Sequence, residues 1–377
     1  MRAGTELSSL QRPAAYKVRS ASLVVAASGR FMRTGLIRQL CLLLILLIGS
    51  QAAAYADPAK VRILGRSEPI SGGGFTIQWP SSGFEARLIG AKLTARIEDN
   101  GSNWLNVEVD GKSSRLQLKA GAHAYVLFSG NRGVHTIRVT RRTASAVGPT
   151  RFLGFQTDGK LEGTVEPSRR ILAIGDFIMA GYGVEGADQY CRFSNETQNA
   201  DLAFPALLGR TFAADVQTIA VDGTGLSRNF DGFGKTMTTL AWLTLASTEL
   251  QWPTATSTPQ VIIIHLGTND FAAGNPVPAF EKTYVDFLIR IRATYNQAQV
   301  FAVFGGMLSG EAYTRARDGV KAAVAQRQSA GDDKVHFLEL NPPRTARRYG
   351  CNWHPGLDAQ QAMAHSLQTE IHRYLDW

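Results

Sequence analysis

Ile171-Leu-Ala-Ile-Gly-Asp-Phe-Ile-Met-Ala-Gly-Tyr-Gly183 is the stretch that decides the fold. Four apolar residues run into Gly175-Asp176 and then into a small-residue segment. A short apolar run bounded by turn residues is the pattern of a buried parallel strand opening a βα unit. Open α/β sheets keep their ligand sites at tight turns on the carboxyl ends of such strands.

Downstream, strands alternate with helical patterns, the mark of a parallel sheet with helices on its faces. Periodicity predicts helices over Leu202–Phe212, Phe280–Tyr295, Ala312–Gln328 and Leu357–Leu375. Strands are predicted over Val216–Val221, Val261–Leu266, Val300–Phe304 and Val335–Leu340. Upstream, residues 57–165 read as all-β. Phe75–Trp79, Ala86–Ile89, Leu93–Ile97, Leu105–Val109 and His135–Val139 are short and largely alternating, with turn signals at Gly72–Gly74, Pro80–Gly83, Asp99–Gly101, Asp110-Gly111 and Gly130–Gly133. Such spacing predicts a β-sandwich or jelly roll, and Val109-Asp110-Gly111-Lys112 predicts a tight hairpin. Trp79, Trp104 and Tyr125 are expected in its core rather than as sugar-stacking platforms. Gly163–Arg170 is the linker to the second domain, residues 170–377.

The chain has 377 residues and a formal charge of +9. Residues 1–56 hold seven Arg/Lys against one acid, so six of those nine charges sit there and +3 remains for residues 57–377. That argues against a nucleic-acid partner. Arg33 and Arg38 precede an apolar run from Leu40 to Ile48, and Ala54-Tyr55-Ala56 follows it. The succession is that of a signal peptide, with Met32 a possible true start; the run is too short for a stable membrane anchor. A secreted or periplasmic protein is expected. Cys41 would leave with the leader. Cys191 and Cys351 would remain, and an even pair in an exported protein reads as a disulfide, with two buried thiols as the alternative.

Four loops of the second domain carry the chemical residues. They are Gly175-Asp176-Phe177, Asp222-Gly223-Thr-Gly225-Leu-Ser-Arg228-Asn229, Gly267-Thr268-Asn269-Asp270 and Cys351-Asn352-Trp353-His354-Pro355. In this order they resemble the blocks of the SGNH (GDSL) hydrolases, closest to two-domain carbohydrate esterases of the acetylxylan-esterase type (carbohydrate esterase family 2). The resemblance covers residues 57–377 and implies a three-layer α/β domain with a central parallel sheet behind the β-domain. It implies ester hydrolysis through an acyl-enzyme, with His354 as base and Gly223 N–H and the Asn269 side chain as oxyanion donors. Asp176, Asp222 and Trp353 are the candidate substrate-binding residues.

Two positions depart from the family pattern. Phe177 occupies the nucleophile position and offers no attacking atom. Asn352 occupies the position of the carboxylate that orients the histidine. In a comparable triad, losing the nucleophile costs on the order of 10⁶-fold in kcat and an Asp→Asn change at the orienting position about 10⁴. The expectation is a carbohydrate-esterase homologue with hydrolysis lost or severely weakened, whose four loops either still bind glycan or serve only the fold. Its expected partner is an acetylated xylan- or mannan-type poly- or oligosaccharide, its expected state a monomer. The alternative is an active acetyl esterase using non-standard chemistry, such as attack by Asp222. There is no metal or nucleotide motif, and the resemblance implies no cofactor.

Overall fold

The computed structural model describes residues 61–377. The predicted leader, residues 1–56, lies outside the described residues.

The amino-terminal part is a single nine-stranded antiparallel sheet. Its strands are β1 (Arg62–Leu64), β2 (Ser67–Pro69), β3 (Phe75–Ile77), β4 (Gly83–Asn100), β5 (Trp104–Val109), β6 (Lys112–Gln117), β7 (Ala120–Arg141), β8 (Thr150–Thr157) and β9 (Lys160–Gly163). The order is β2-β3-β8-β4-β7-β5-β6, and β1 and β9 also pair with β4. The predicted hairpin is present: Val109 pairs with Lys112, while Asp110 (φ 51°) and Gly111 (φ 80°) take the positive φ of a two-residue turn.

Two strand assignments need correction. Ala86–Ile89 and Leu93–Ile97 belong to one strand, β4, and Gly130–Gly133 lies inside β7 instead of ending it. The cause is a bulge. Gly90 pairs with Gly133 and Lys92 with Ser129, so residues 130–132 stand opposite Ala91 alone. The Asp158 carboxylate accepts the freed Ala91 and Lys92 N–H groups at 2.8 and 3.0 Å. Phe84, Ala86 and Leu88 are buried before the bulge, and Leu93, Ala95 and Ile97 after it. The irregularity thus reverses the alternation and keeps one face of a long strand on one core. The glycines marked a disruption of the ladder, which a turn and a bulge share.

The second part is a five-stranded sheet of β10 (Arg170–Gly175), β11 (Asp215–Ala220), β12 (Val261–His265), β13 (Gln299–Gly305) and β14 (Val335–Leu340). Its order is β11-β10-β12-β13-β14 and every pairing is parallel. The helices are α1 (Phe204–Phe212), α2 (Met237–Leu240), α3 (Thr268–Ala272), α4 (Ala279–Thr294), α5 (Gly310–Ser329) and α6 (Leu357–Ile371). Alternate residues of each strand face opposite layers. Leu172, Ile174, Ile262 and Ile264 pack with Phe280, Tyr284 and Leu288 of α4 and Val320 and Val324 of α5. Ile171, Ala173, Val261 and Ile263 pack with Leu208 and Phe212 of α1 and Met363 and Leu367 of α6. This is the expected three-layer α/β arrangement. The chain leaves β10 toward α1 and leaves β12 toward α4, on opposite faces. The switch point between these neighbouring strands is where such sheets open a crevice.

Side chains tie the two sheets together. Arg62 of β1 bonds Glu85 at 3.1 Å and Asp215 of β11 at 2.5 Å. Trp79 is buried as expected, but in the core over the parallel sheet, where its indole N–H donates to the Thr244 carbonyl at 2.8 Å. Tyr125 packs in the core of the antiparallel sheet and Trp104 is half-buried.

Candidate active site

The four loops converge at the carboxyl ends of β10, β11 and β12 and just before α6. Gly175 closes β10 because a Cβ there would lie 2.6 Å from Met179 Sδ and 3.0 Å from the His265 carbonyl. Asp176, fully buried, turns the chain: its Oδ1 accepts the Ile178 N–H at 3.0 Å. Gln360 of α6 clamps the same loop from below, donating to the Ile178 carbonyl and accepting the Phe204 N–H, both at 2.9 Å.

Asp270 sets the second loop. Its Oδ2 accepts the Leu226 N–H at 2.9 Å, and its Oδ1 accepts the N–H groups of Ser227 (2.7 Å) and Arg228 (2.9 Å) and the Ser227 hydroxyl (2.8 Å). Gly223 stands at the head of this loop with φ 74°, a conformation that favours glycine. Among the described residues, neither the Gly223 N–H nor the Phe177 N–H has a protein acceptor. Asn269 differs: its Nδ2 donates to Asp176 Oδ2 at 3.1 Å and to the Thr224 carbonyl at 2.9 Å. Both amide hydrogens are engaged, so the side chain predicted as an oxyanion donor here braces Asp176 against the second loop.

His354 is buried beside Phe177. The two rings meet edge to face, with centroids 4.6 Å apart and planes at 76°. His354 also stacks on Tyr182 at 3.9 Å, and Tyr182 stacks on Phe193 at 3.9 Å. His354 Nδ1 lies 2.9 Å from the Asn352 backbone carbonyl, which can only accept. Nδ1 is therefore protonated in the neutral ring and Nε2 carries the lone pair, the tautomer a general base needs. The Asn352 side chain is not the orienting group: it donates to the Tyr182 hydroxyl at 3.2 Å. Burial, with no compensating carboxylate, pushes His354 down to about 4, so the ring is uncharged at neutral pH.

Two buried carboxyls at the ends of β10 and β11, Asp176 and Asp222, are displaced the other way. Burial holds Asp176 well above the usual carboxylate range, helped by the charges of Asp222 and Asp270. Burial also pushes Asp222 up to about 7. Asp222 Oδ1 is sealed from water and has no hydrogen-bond partner.

Cys191 and Cys351 form a disulfide across 160 residues, joining the loop after β10 to the loop of His354. Gly186 makes room for it, since a Cβ there would lie 2.5 Å from each sulfur. Exposed aromatics ring the site: Tyr190 and Trp353 in edge contact at 5.7 Å, and Phe230 and Phe233 on the loop after β11. Beyond β13 and β14 a cleft of about 560 Å³ opens, lined by Gly306, Met307, Tyr313, Arg348 and Tyr349 among others. Tyr349 lies 5.3 Å from the Trp353 ring. Tyr182, Phe193, Gln360 and Tyr349 were not predicted as site residues. Tyr182 alone left a signal, its place between Gly181 and Gly183, both at positive φ.

Residues 173–372 match the GDSL-like Lipase/Acylhydrolase family. The chain belongs to that family. Residues 63–164 match the Carbohydrate esterase 2 N-terminal family, so this GDSL-like protein is of the carbohydrate-esterase type. Cellulase/esterase CelE of Acetivibrio thermocellus is 32% identical over 305 residues, 79% of this chain. The chain spans only 38% of that relative's length. An acetylxylan esterase / glucomannan deacetylase of Cellvibrio japonicus is 29% identical over 344 residues, covering 85% of this chain and 92% of the relative. A family two carbohydrate esterase from Clostridium thermocellum, solved in complex with cellohexaose, superposes with a TM-score of 0.81 at 31% identity, over 84% of this chain and 99% of that one.

Proposed function

We propose that this chain is an exported carbohydrate-esterase relative that has lost hydrolysis and holds glycan at the carboxyl end of its parallel sheet. One observation carries the loss: a phenyl ring with no nucleophilic atom stands 4.6 Å from the imidazole that would activate a nucleophile. His354 keeps its tautomer, and the Gly223 and Phe177 N–H groups stay available, so the attacking oxygen is what the site lacks. The exposed rings of Tyr190, Trp353, Phe230 and Phe233 support glycan binding, because sugar faces stack on aromatic ones. The names of the relatives support a xylan or glucomannan as the polymer. The basic, apolar and Ala-x-Ala succession together with the disulfide supports export, with the mature chain starting at Asp57.

The deciding experiment pairs an aryl-acetate assay with affinity electrophoresis in gels cast with xylan or glucomannan. The expected result is no turnover above buffer and retarded migration. Esterase-level turnover would replace this proposal with an esterase of unrecognised chemistry, and free migration in every glycan would remove the binding role.

A further inference from the structure

The cleft beyond β13 and β14 carries charge that the site around His354 does not use. Its volume of about 560 Å³ lies in the range of small-molecule sites. Three parts of the chain build its walls. Met307 and Leu308 follow β13, Tyr313 belongs to α5, and Arg344, Arg348 and Tyr349 lie on the segment after β14.

The segment after β14 holds three arginines whose partners differ. Arg347 pairs with Asp358 of α6 at 3.0 Å. The guanidinium groups of Arg344 and Arg348 have neither a carboxylate partner nor a hydrogen-bond acceptor among the described residues. Arg344 is exposed. Arg348 is held in place: its guanidinium carbon lies 5.2 Å from the centroid of the Tyr349 ring, and its Nε is buried. Its two terminal nitrogens are neither buried nor paired, so they are open to a ligand. The acid in the cleft wall is already engaged, since Glu339 accepts the Tyr313 hydroxyl and stands 4.0 Å from Arg317. The cleft is therefore left with positive charge that the protein does not neutralise.

A guanidinium presents a planar fork of N–H donors and no acceptor, which matches the two oxygens of a carboxylate. Two such groups without an acid of their own suit an anion brought by the ligand. The rest of the wall tells what carries that anion. Met307, Leu308 and Tyr313 supply apolar surface for a ring, and Tyr349 lies 5.3 Å from the Trp353 ring at the edge of the candidate glycan site. The cleft thus extends that site, and the anion of a sugar acid is a carboxylate. We infer that the cleft takes a uronic acid residue carried on the glycan, with its carboxylate at Arg344 and Arg348. This rests on the glycan-binding role proposed above and adds the charged sugar that the polymer must bear.

The test uses the full mature chain and one glucuronoxylan preparation divided in two, one half kept native and one with its carboxylates reduced to alcohols. Binding to each is measured by affinity electrophoresis and titration calorimetry, at low and at high salt. The parent protein is expected to bind the native polymer about tenfold more tightly at low salt, with a preference that shrinks as salt screens the charge. Arg344→Gln and Arg348→Gln are each expected to reduce that preference and to leave binding to the reduced polymer unchanged. Arg344 is exposed and unpaired, so its replacement keeps the fold. Free glucuronate should compete with the native polymer, and acetate at the same concentration should not. Equal binding of the two polymers, or a preference that both variants keep, overturns the uronate reading while the glycan-binding role stands. Acetate competing as well as glucuronate shows a site for any small carboxylate and overturns it too. Binding to neither polymer overturns both.

Discussion

The imidazole of His354 is held through Nδ1 by the backbone carbonyl of Asn352, at 2.9 Å, while the side chain of the same asparagine turns away to Tyr182. The orienting job passes from a side-chain charge to a main-chain dipole. Asn352 can serve this way because it sits in the left-handed region, φ 52° and ψ 41°, which asparagine tolerates better than most residues.

Restoring activity should therefore depend unequally on the two departures from the family pattern. Phe177→Ser supplies the attacking oxygen and removes the ring; aryl-acetate hydrolysis at least tenfold above the parent is expected. Adding Asn352→Asp should change the rate less than the roughly 10⁴-fold seen where a carboxylate holds the ring, since the carbonyl already fixes the tautomer. Folding is checked by circular dichroism, as truncating a buried Phe costs about 3–5 kcal/mol where the cavity does not refill. A folded Phe177→Ser protein with no hydrolysis would show that Gly223, Phe177 N–H and His354 no longer form a working constellation.

His354 should stay uncharged far below the usual histidine range. In ¹⁵N-detected NMR the ring is expected as the Nδ1–H tautomer at pH 6, gaining its second proton near pH 4. Its folded value lies below that of an exposed histidine, so the unfolded chain takes up a proton that the folded chain refuses. This contribution to stability is present above pH 6.5 and is lost as pH falls toward 4. A titration midpoint above 6 would contradict the burial described.

Asp222 works in the opposite sense. Held up at about 7, it keeps its proton while the unfolded chain releases one near pH 4, so stability falls as pH rises between those values. Asp222→Asn removes that penalty. Urea unfolding free energies of parent and variant are expected to agree at pH 4 and to separate by pH 8 in the variant's favour, by up to about 4 kcal/mol. A difference that does not change with pH would mean that Asp222 ionises normally.

The disulfide should appear in mass spectrometry of unreduced protein as the loss of two hydrogens, with no free thiol among Cys191 and Cys351. In the loop-entropy picture, closing 160 residues stabilises by about 5 kcal/mol, so reduction should lower the urea midpoint markedly. Gly186→Ala should do part of this without a reductant, because its Cβ would lie 2.5 Å from both sulfurs. An unchanged midpoint for Gly186→Ala would show that the loop moves aside freely.

The parallel sheet was legible because its three central strands, β10, β12 and β13, are nearly continuous apolar runs and each main helix has a 3.6-residue period. The predicted Val335–Leu340 strand has the same bounds in the structure. The antiparallel sheet was less so, since a bulge and a turn use the same glycines, and only the paired backbone distinguishes Gly130–Gly133 from a strand end. In the site, sequence order located Phe177, Asn352 and His354, but not which atom of Asn352 holds the ring. Gln360 was invisible as well: a glutamine on an amphipathic helix reads as surface until its amide is found between Ile178 and Phe204.

Asp270, the last residue of Gly267-Thr-Asn-Asp, touches no reacting group, yet four hydrogen-bond donors of the neighbouring loop end on its carboxylate. Replacing it would strand three backbone N–H groups and a hydroxyl at once, whatever the protein is used for. The block is thus a fastener of the crevice wall, and a chain can shed its chemistry while the fastener stays obligatory. Finding those four letters in a sequence certifies that a crevice is assembled; it says nothing about whether anything is cut inside.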